Sequence, residues 1–168
     1  MKKIITLFVV MLCSFSLMSA ASIDKSAMKF AQKEAKKVAK ALLKDGWTYT
    51  SLGPLEIPLC DHLYLINMGT HEQVISEARA PHRALAEKSA QQRSIESVVE
   101  YLLDNVSLNE NLSRSQGVEV VVDEVQSCIK PSFILYKQYE KGYICRVYVL
   151  VDKEKAATIQ LKPSDPTK

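Results

Sequence analysis

Residues 133–151, FILYKQYEKGYICRVYVLV, decide the fold. Phe133, Leu135, Lys137 and Tyr139 alternate onto one face of a first strand. Tyr143, Cys145, Val147, Val149 and Val151 share a face of a second. Lys141 and Gly142 sit where the chain must reverse, so Phe133–Tyr139 and Tyr143–Val151 read as a β-hairpin. Val147, Val149 and Val151 form a continuous apolar row that needs a helix to cover it.

That helix lies upstream. Pro81 suits the first turn of a helix running to about Asn105. Its second half carries Ile95, Val98, Val99, Leu102, Leu103 and Val106 at helical spacing; its first half has only Ala84, Leu85, Ala86 and Ala90, small enough for close approach to a sheet. Before it, Gln73–Ala80 alternates as a strand, with Val74, Ser76, Ala78 and Ala80 on one face and Ile75, Glu77 and Arg79 on the other. Glu77 and Arg79 read as a cross-strand ion pair or as solvent-facing groups. After it, Ser107–Gln116 is polar and reads as a loop. Gly117–Cys128 is read as a helix from Val118, Val121, Val122, Val125 and Ile129, although Val118, Val120 and Val122 also alternate like a strand. Lys155–Leu161 reads as a helical turn and Lys162–Lys168 as a flexible tail.

Toward the N-terminus, Ser22–Gly46 reads as an amphipathic helix. Ile23, Ala27, Ala31, Ala35, Val38, Ala39 and Leu42 form its apolar stripe, opposite Lys25, Lys29, Lys33, Lys36, Lys37, Lys40 and Lys44. Ser22 or Asp24 caps its start and Gly46 ends it. Alanine buries little area, so Leu42, Leu43 and Trp47 are expected to anchor it. Trp47–Thr50 reads as a short strand and Pro58–Met68 as a short helix. The expected fold is α+β: a small antiparallel sheet with a C-terminal β-hairpin, packed against one long helix, plus the lysine- and alanine-rich N-terminal helix.

Met1–Ala21 has a different character. Lys2 and Lys3 precede the uncharged apolar run Ile4–Leu17, and Ser19-Ala20-Ala21 supplies small residues for cleavage, the layout of a secretory signal peptide. The run is shorter than the ~20 residues of a spanning helix. Leu12 before Cys13 is too large for a lipidation site. The expected layout is 1–21 signal peptide, 22–161 one domain and 162–168 tail, in a chain that is exported, to the periplasm or cell envelope with secretion as the alternative, and with no spanning segment after cleavage. The chain has 22 basic and 19 acidic residues; without Lys2 and Lys3, 20 face 19, a net charge of +1. So balanced a charge argues against nucleic acid as a partner.

Catalytic templates find no match. The five glycines stand singly, and there is no nucleophile elbow, His-Glu-x-x-His or Cys-x-x-Cys. Cys60, Cys128 and Cys145 are read as packed thiols, with one disulfide of open pairing as the alternative. Cys60-Asp61-His62 is the one local cluster; a thiol–imidazole pair, or zinc held with His71 or His82, is weighed against surface histidines and a packed cysteine. Tyr136, Tyr139, Tyr143 and Tyr148 group around the hairpin, either half-buried in it or presenting a platform for a glycan or small ligand. No catalytic, cofactor-binding or metal-binding residue is assigned, and no cofactor.

The succession of Lys44-Asp45-Gly46-Trp47, Gly53-Pro54-Leu55-Glu56-Ile57-Pro58-Leu59, Glu77-Ala78-Arg79-Ala80 and a closing hairpin with Tyr148 resembles small uncharacterised exported envelope proteins of Bacteroides type. It is also similar in layout to the twenty-kilodalton outer-membrane lipoprotein family, over roughly Asp24 to Lys155. The resemblance implies a bacterial envelope domain with helices on an antiparallel sheet, and brings no catalytic residues. Cys13, without a lipidation context, departs from the lipoprotein pattern. The functional expectation is a non-enzymatic structural or interaction domain engaging an envelope or surface partner. The rivals are a ligand- or glycan-binding protein using the hairpin tyrosines and a Cys60/His62 hydrolase.

Overall fold

The computed structural model describes residues 24–105, 118–119, 122–159 and 162–163. The signal-peptide reading of Met1–Ala21, the loop reading of Ser107–Gln116 and most of the tail lie outside them. Among the described residues eleven elements follow in order: α1 (Lys25–Lys44), β1 (Thr48–Tyr49), α2 (Glu56–Asn67), β2 (His71–Ala80), α3 (Arg83–Asn105), β3 (Val118–Glu119), α4 (Val122–Cys128), β4 (Ile129–Tyr139), β5 (Gly142–Asp152), α5 (Lys153–Thr158) and β6 (Lys162–Pro163).

The fold is α+β around a four-stranded antiparallel sheet of order β1-β4-β5-β2. The hairpin β4–β5 supplies its two central strands. Its turn is Glu140–Lys141, one residue earlier than expected, and Gly142 opens β5 opposite Tyr139. Only glycine fits there. Its φ is +147°, and a Cβ would run into the Ala80 carbonyl oxygen and come within 2.8 Å of Pro81 Cα.

Helices cover both faces. On one, Val147, Val149 and Val151 meet Ala86, Ala90, Val98 and Leu102 of α3, as the alternation implied. Alanines let α3 lie close: the Ser76 hydroxyl donates to the Ala90 carbonyl at 2.7 Å. On the other face, Phe133, Leu135 and Tyr148 pack with Leu59 of α2, Ala35 and Ala39 of α1, and Trp47. Asp24 caps α1 by accepting from the Ser26 and Ala27 N–H groups, and Ala27, Ala31, Ala35 and Ala39 form its buried stripe. At its end the Trp47 N–H reaches the Leu42 carbonyl and the Gly46 N–H the Leu43 carbonyl, the double closure that a glycine at φ +85° permits.

Several expectations are corrected. Leu43 is exposed and anchors nothing; Trp47 and half-buried Leu42 do that work. The helix expected over Gly117–Cys128 starts at Val122. Val118–Glu119 instead pairs antiparallel with Lys162–Pro163, which draws the first two residues of the expected tail into a second, two-stranded sheet. A two-residue ladder is too short for alternation to outweigh a longer helical pattern. Ile129, counted with that helix, begins β4. Pro81 lies outside α3, because a bend at Pro81–His82 precedes the helix. Pro58 is tolerated in the first turn of α2, where backbone N–H groups have no intrahelical acceptor. No helix among the described residues is long and apolar enough to cross a membrane.

Candidate functional site

Cys60 and His62 are two residues apart on α2, about 200° around the helix, and the fold sends them to different neighbours. Cys60 is half-buried, so it is not the fully packed thiol expected. Its Sγ lies 3.7 Å from Met28 Sδ of α1. Burial, with Asp61 beside it, pushes the thiol pKa up. Cys128 and Cys145 are buried, and burial raises them too. All three described cysteines are free.

His62 is not a surface histidine. It is 1% exposed, seated between α2 and the sheet. Its Nδ1 lies 2.8 Å from the Ser132 hydroxyl of β4 and its Nε2 2.7 Å from Gln73 Oε1 of β2. An amide oxygen only accepts, so Nε2 carries the proton and Nδ1 receives the Ser132 hydroxyl's. Around the ring, Phe133 and Tyr148 stand edge-on at 5.3 and 6.1 Å between centroids and stack on each other at 4.3 Å. Burial holds the imidazole below the ordinary histidine value, against the opposing pull of Gln73.

His71 and His82 join neither His62 nor Cys60. Nδ1 of His71 lies 2.9 Å from the Thr70 hydroxyl, and His82 is exposed at the start of α3, where its carbonyl accepts from the Ala86 N–H. Among the described residues no group of three histidine, cysteine or acidic side chains is placed to hold a metal ion.

The hairpin tyrosines divide by face. Tyr148 is buried on the α2 side and offers no platform. Tyr136 and Tyr143 lie on the α3 side, 6.4 Å apart, with the Arg83 guanidinium 4.1 Å above the Tyr136 ring. Glu77 does form a cross-strand pair, with Arg146 at 2.8 Å, its register partner; Arg79 stands 3.9 Å away on the same strand. Arg146 also lies 4.3 Å over the Trp47 ring. Burial is the largest single influence on its pKa and lowers it, but hydrogen bonds and charge from Tyr148 and Glu77 together outweigh it and leave the pKa raised.

Among the described residues, a groove of about 620 Å³ lies between α3 and β4. It exists because β1 is too short. β1 pairs only with Leu135 and Tyr136, the Thr50 N–H adds a bond to the Ile134 carbonyl, and the chain then departs. One wall is α3, whose Arg83, Glu87, Gln91 and Ile95 recur every four residues. The other includes Ile129, Pro131, Ser132 and Ile134 of β4. Tyr49–Ser51 close the Arg83 end, and Gln126 of α4 borders the opposite end. Ser132 thus belongs both to the groove and to the His62 network.

Sequence reasoning missed Ser132, Gln73 and the groove. The four-residue recurrence of Arg83, Glu87, Gln91 and Ile95 was a visible signal for one wall. Nothing local marks Ser132 or Gln73, which reach His62 across 70 and 11 residues of chain. No family model matches the chain, and no curated protein and no solved structure matches it either.

Proposed function

We infer that this chain is an exported bacterial cell-envelope protein acting as a non-enzymatic interaction domain, with the groove between α3 and β4 as its partner surface. The groove carries this reading. It is a concave, mainly apolar trough of about 620 Å³ beside a stretch of sheet that β1 leaves uncovered, within the size range of binding clefts. The export layout of Met1–Ala21 and the resemblance to Bacteroides-type envelope proteins and the twenty-kilodalton lipoprotein family support the location.

The Ser132–His62–Gln73 chain has the connectivity of a nucleophile, base and orienting group. Its electrostatics favour a structural role. Taking the serine proton would create an imidazolium in an enclosed site where burial already disfavours charge, and the orienting group is a neutral amide in place of a carboxylate. The three groups join α2 to β4 and β2.

The test is photo-crosslinking in intact cells with a photoreactive amino acid at Gln91, compared with one at Lys29 on α1, alongside fractionation of the tagged chain. Crosslinks specific to position 91 in the envelope fraction are expected. A cytoplasmic chain, or identical products from both positions, overturns the reading. Modification of Ser132 by a fluorophosphonate probe in the folded protein, abolished by His62→Gln, overturns its non-enzymatic part.

A further inference from the structure

We propose that the occupant of the groove is an extended polypeptide segment of about five residues, lying in the row that β1 vacates, with a carboxylate at the Arg83 end. This deepens the reading of the groove as a partner surface and rests on it.

Shape comes first. β1 covers β4 only at Leu135 and Tyr136, so the sheet row continues beyond Thr50 alongside Ile129–Phe133 with no described strand in it. The groove follows that row. Arg83 to Ile95 spans about 18 Å of helix, matching roughly five extended residues. The bulge between Pro131 and Phe133, and the missing N–H of Pro131, keep the β4 edge from offering a full ladder. The facing side chains supply what it lacks. Gln91 of α3 and Gln126 of α4 are exposed at the groove, and a carboxamide both donates and accepts, as a peptide group does.

The floor sets the side chains. Ile95, Ile129 and Ile134 are half-buried and line the trough, which suits aliphatic groups entering at alternate positions of an extended chain. A glycan fits less well. Phe133 and Tyr148 line the cavity but spend their ring faces on each other, with His62 edge-on to both, so neither offers a free stacking platform.

Charge sets the direction. Arg83 stands at the N-terminus of α3, where its guanidinium and the helix dipole both favour an anion; Glu87, one turn further along the wall, disfavours a second one. A segment with a single carboxylate, held beside Tyr49–Ser51, satisfies both. A free C-terminus and an acidic side chain share that chemistry.

The probes are a synthetic library of random heptapeptides with free C-termini, the same library with C-terminal amides, palmitate and cellotetraose, each presented to the folded chain. The expected result is enrichment of aliphatic-alternating peptides bearing one carboxylate. Their affinity should fall at least tenfold in Arg83→Gln and in Gln91→Ala and stay unchanged in Lys29→Ala. Loss of binding on amidation assigns the carboxylate to the C-terminus, and retention with an acidic residue assigns it to a side chain. Enrichment no greater than on the groove-blocked variant Gln91→Trp, or binding of palmitate or cellotetraose in place of peptides, overturns the proposal. If peptides fail while crosslinks from position 91 persist, only the occupant is wrong; if both fail, the groove reading falls as well.

Discussion

The Ser132 hydroxyl and His62 Nδ1 lie 2.8 Å apart, so one hydrogen bond connects the rim of the groove to the interior joint between α2 and the sheet. With Gln73 on the other ring nitrogen, every polar atom of the imidazole is used.

This makes His62 a stability residue. His62→Ala removes a buried ring and leaves the half-buried Ser132 hydroxyl without its partner, while exposed Gln73 turns to water, at an expected cost of about 3–5 kcal/mol. Ser132→Ala and Gln73→Ala each remove one partner, at about 1–2 kcal/mol. Urea unfolding of the three single variants and the Ser132/Gln73 double variant checks this. The double should fall short of additivity, because both changes act on one ring.

Acid should weaken the fold through the same ring. Burial lowers the folded His62 pKa below 6.5, so below pH 6.5 the unfolded chain binds a proton that the folded chain refuses. More protons on the unfolded state means stability falls as pH falls. The urea midpoint is expected to drop from pH 6.5 downward until the folded pKa is reached, and to be flat just above this window. His71, also lowered by burial, adds to the slope. His62→Gln should reduce the slope while the His71 contribution stays; an unchanged slope would refute the assignment.

Gly142→Ala should be among the most damaging single-methyl additions. The backbone there has φ +147° and the new Cβ meets the main chain of Ala80 and Pro81. A loss of more than about 2 kcal/mol is expected, since main chain has no rotamer with which to yield. Gly53→Ala is the control: it has positive φ too, but nothing within 4 Å of its Cβ, so the difference between the two isolates the clash.

Ala90 is fully buried with its carbonyl 2.7 Å from the Ser76 hydroxyl. Ala90→Leu forces α3 away from β2 and should cost about 1–3 kcal/mol. The same change at exposed Ala84 should stay within about 0.5 kcal/mol. Thermal unfolding of the two variants decides whether close approach, and not general helix composition, sets the contact.

The α+β class, both hairpin strands and the long helix were legible because each carries a pattern longer than its own noise. Val147, Val149 and Val151 repeat with period two, and Ile95, Val98 and Leu102 recur at helical spacing. The stripe Ala27, Ala31, Ala35 and Ala39 was equally plain. β3 and β6 were illegible because two-residue strands have no period to read. His62 illustrates a different failure. Its neighbours in sequence, Asp61 and Cys60, are not its neighbours in space; its partners come from β2 and β4, and their approach depends on the whole fold. The groove is defined by where a strand stops, and the stopping of β1 after Tyr49 left only a generic Ser-Leu-Gly-Pro signature.

The sheet order has a kinetic consequence. β1 and β2 hydrogen-bond only to β4 and β5, never to each other, and Ile75 finds its register partner Tyr148 more than seventy positions later. A chain appearing N-terminus first therefore has no sheet to build until its last third has emerged. Until then α1, α2 and α3 lack the central strands they bury, and the apolar stripes that would face them stay available to chaperones or to one another. The β4–β5 hairpin, local in sequence and central in space, is the natural template on which everything earlier condenses. Truncation before Gly142 should thus yield a disordered chain and not a smaller folded core.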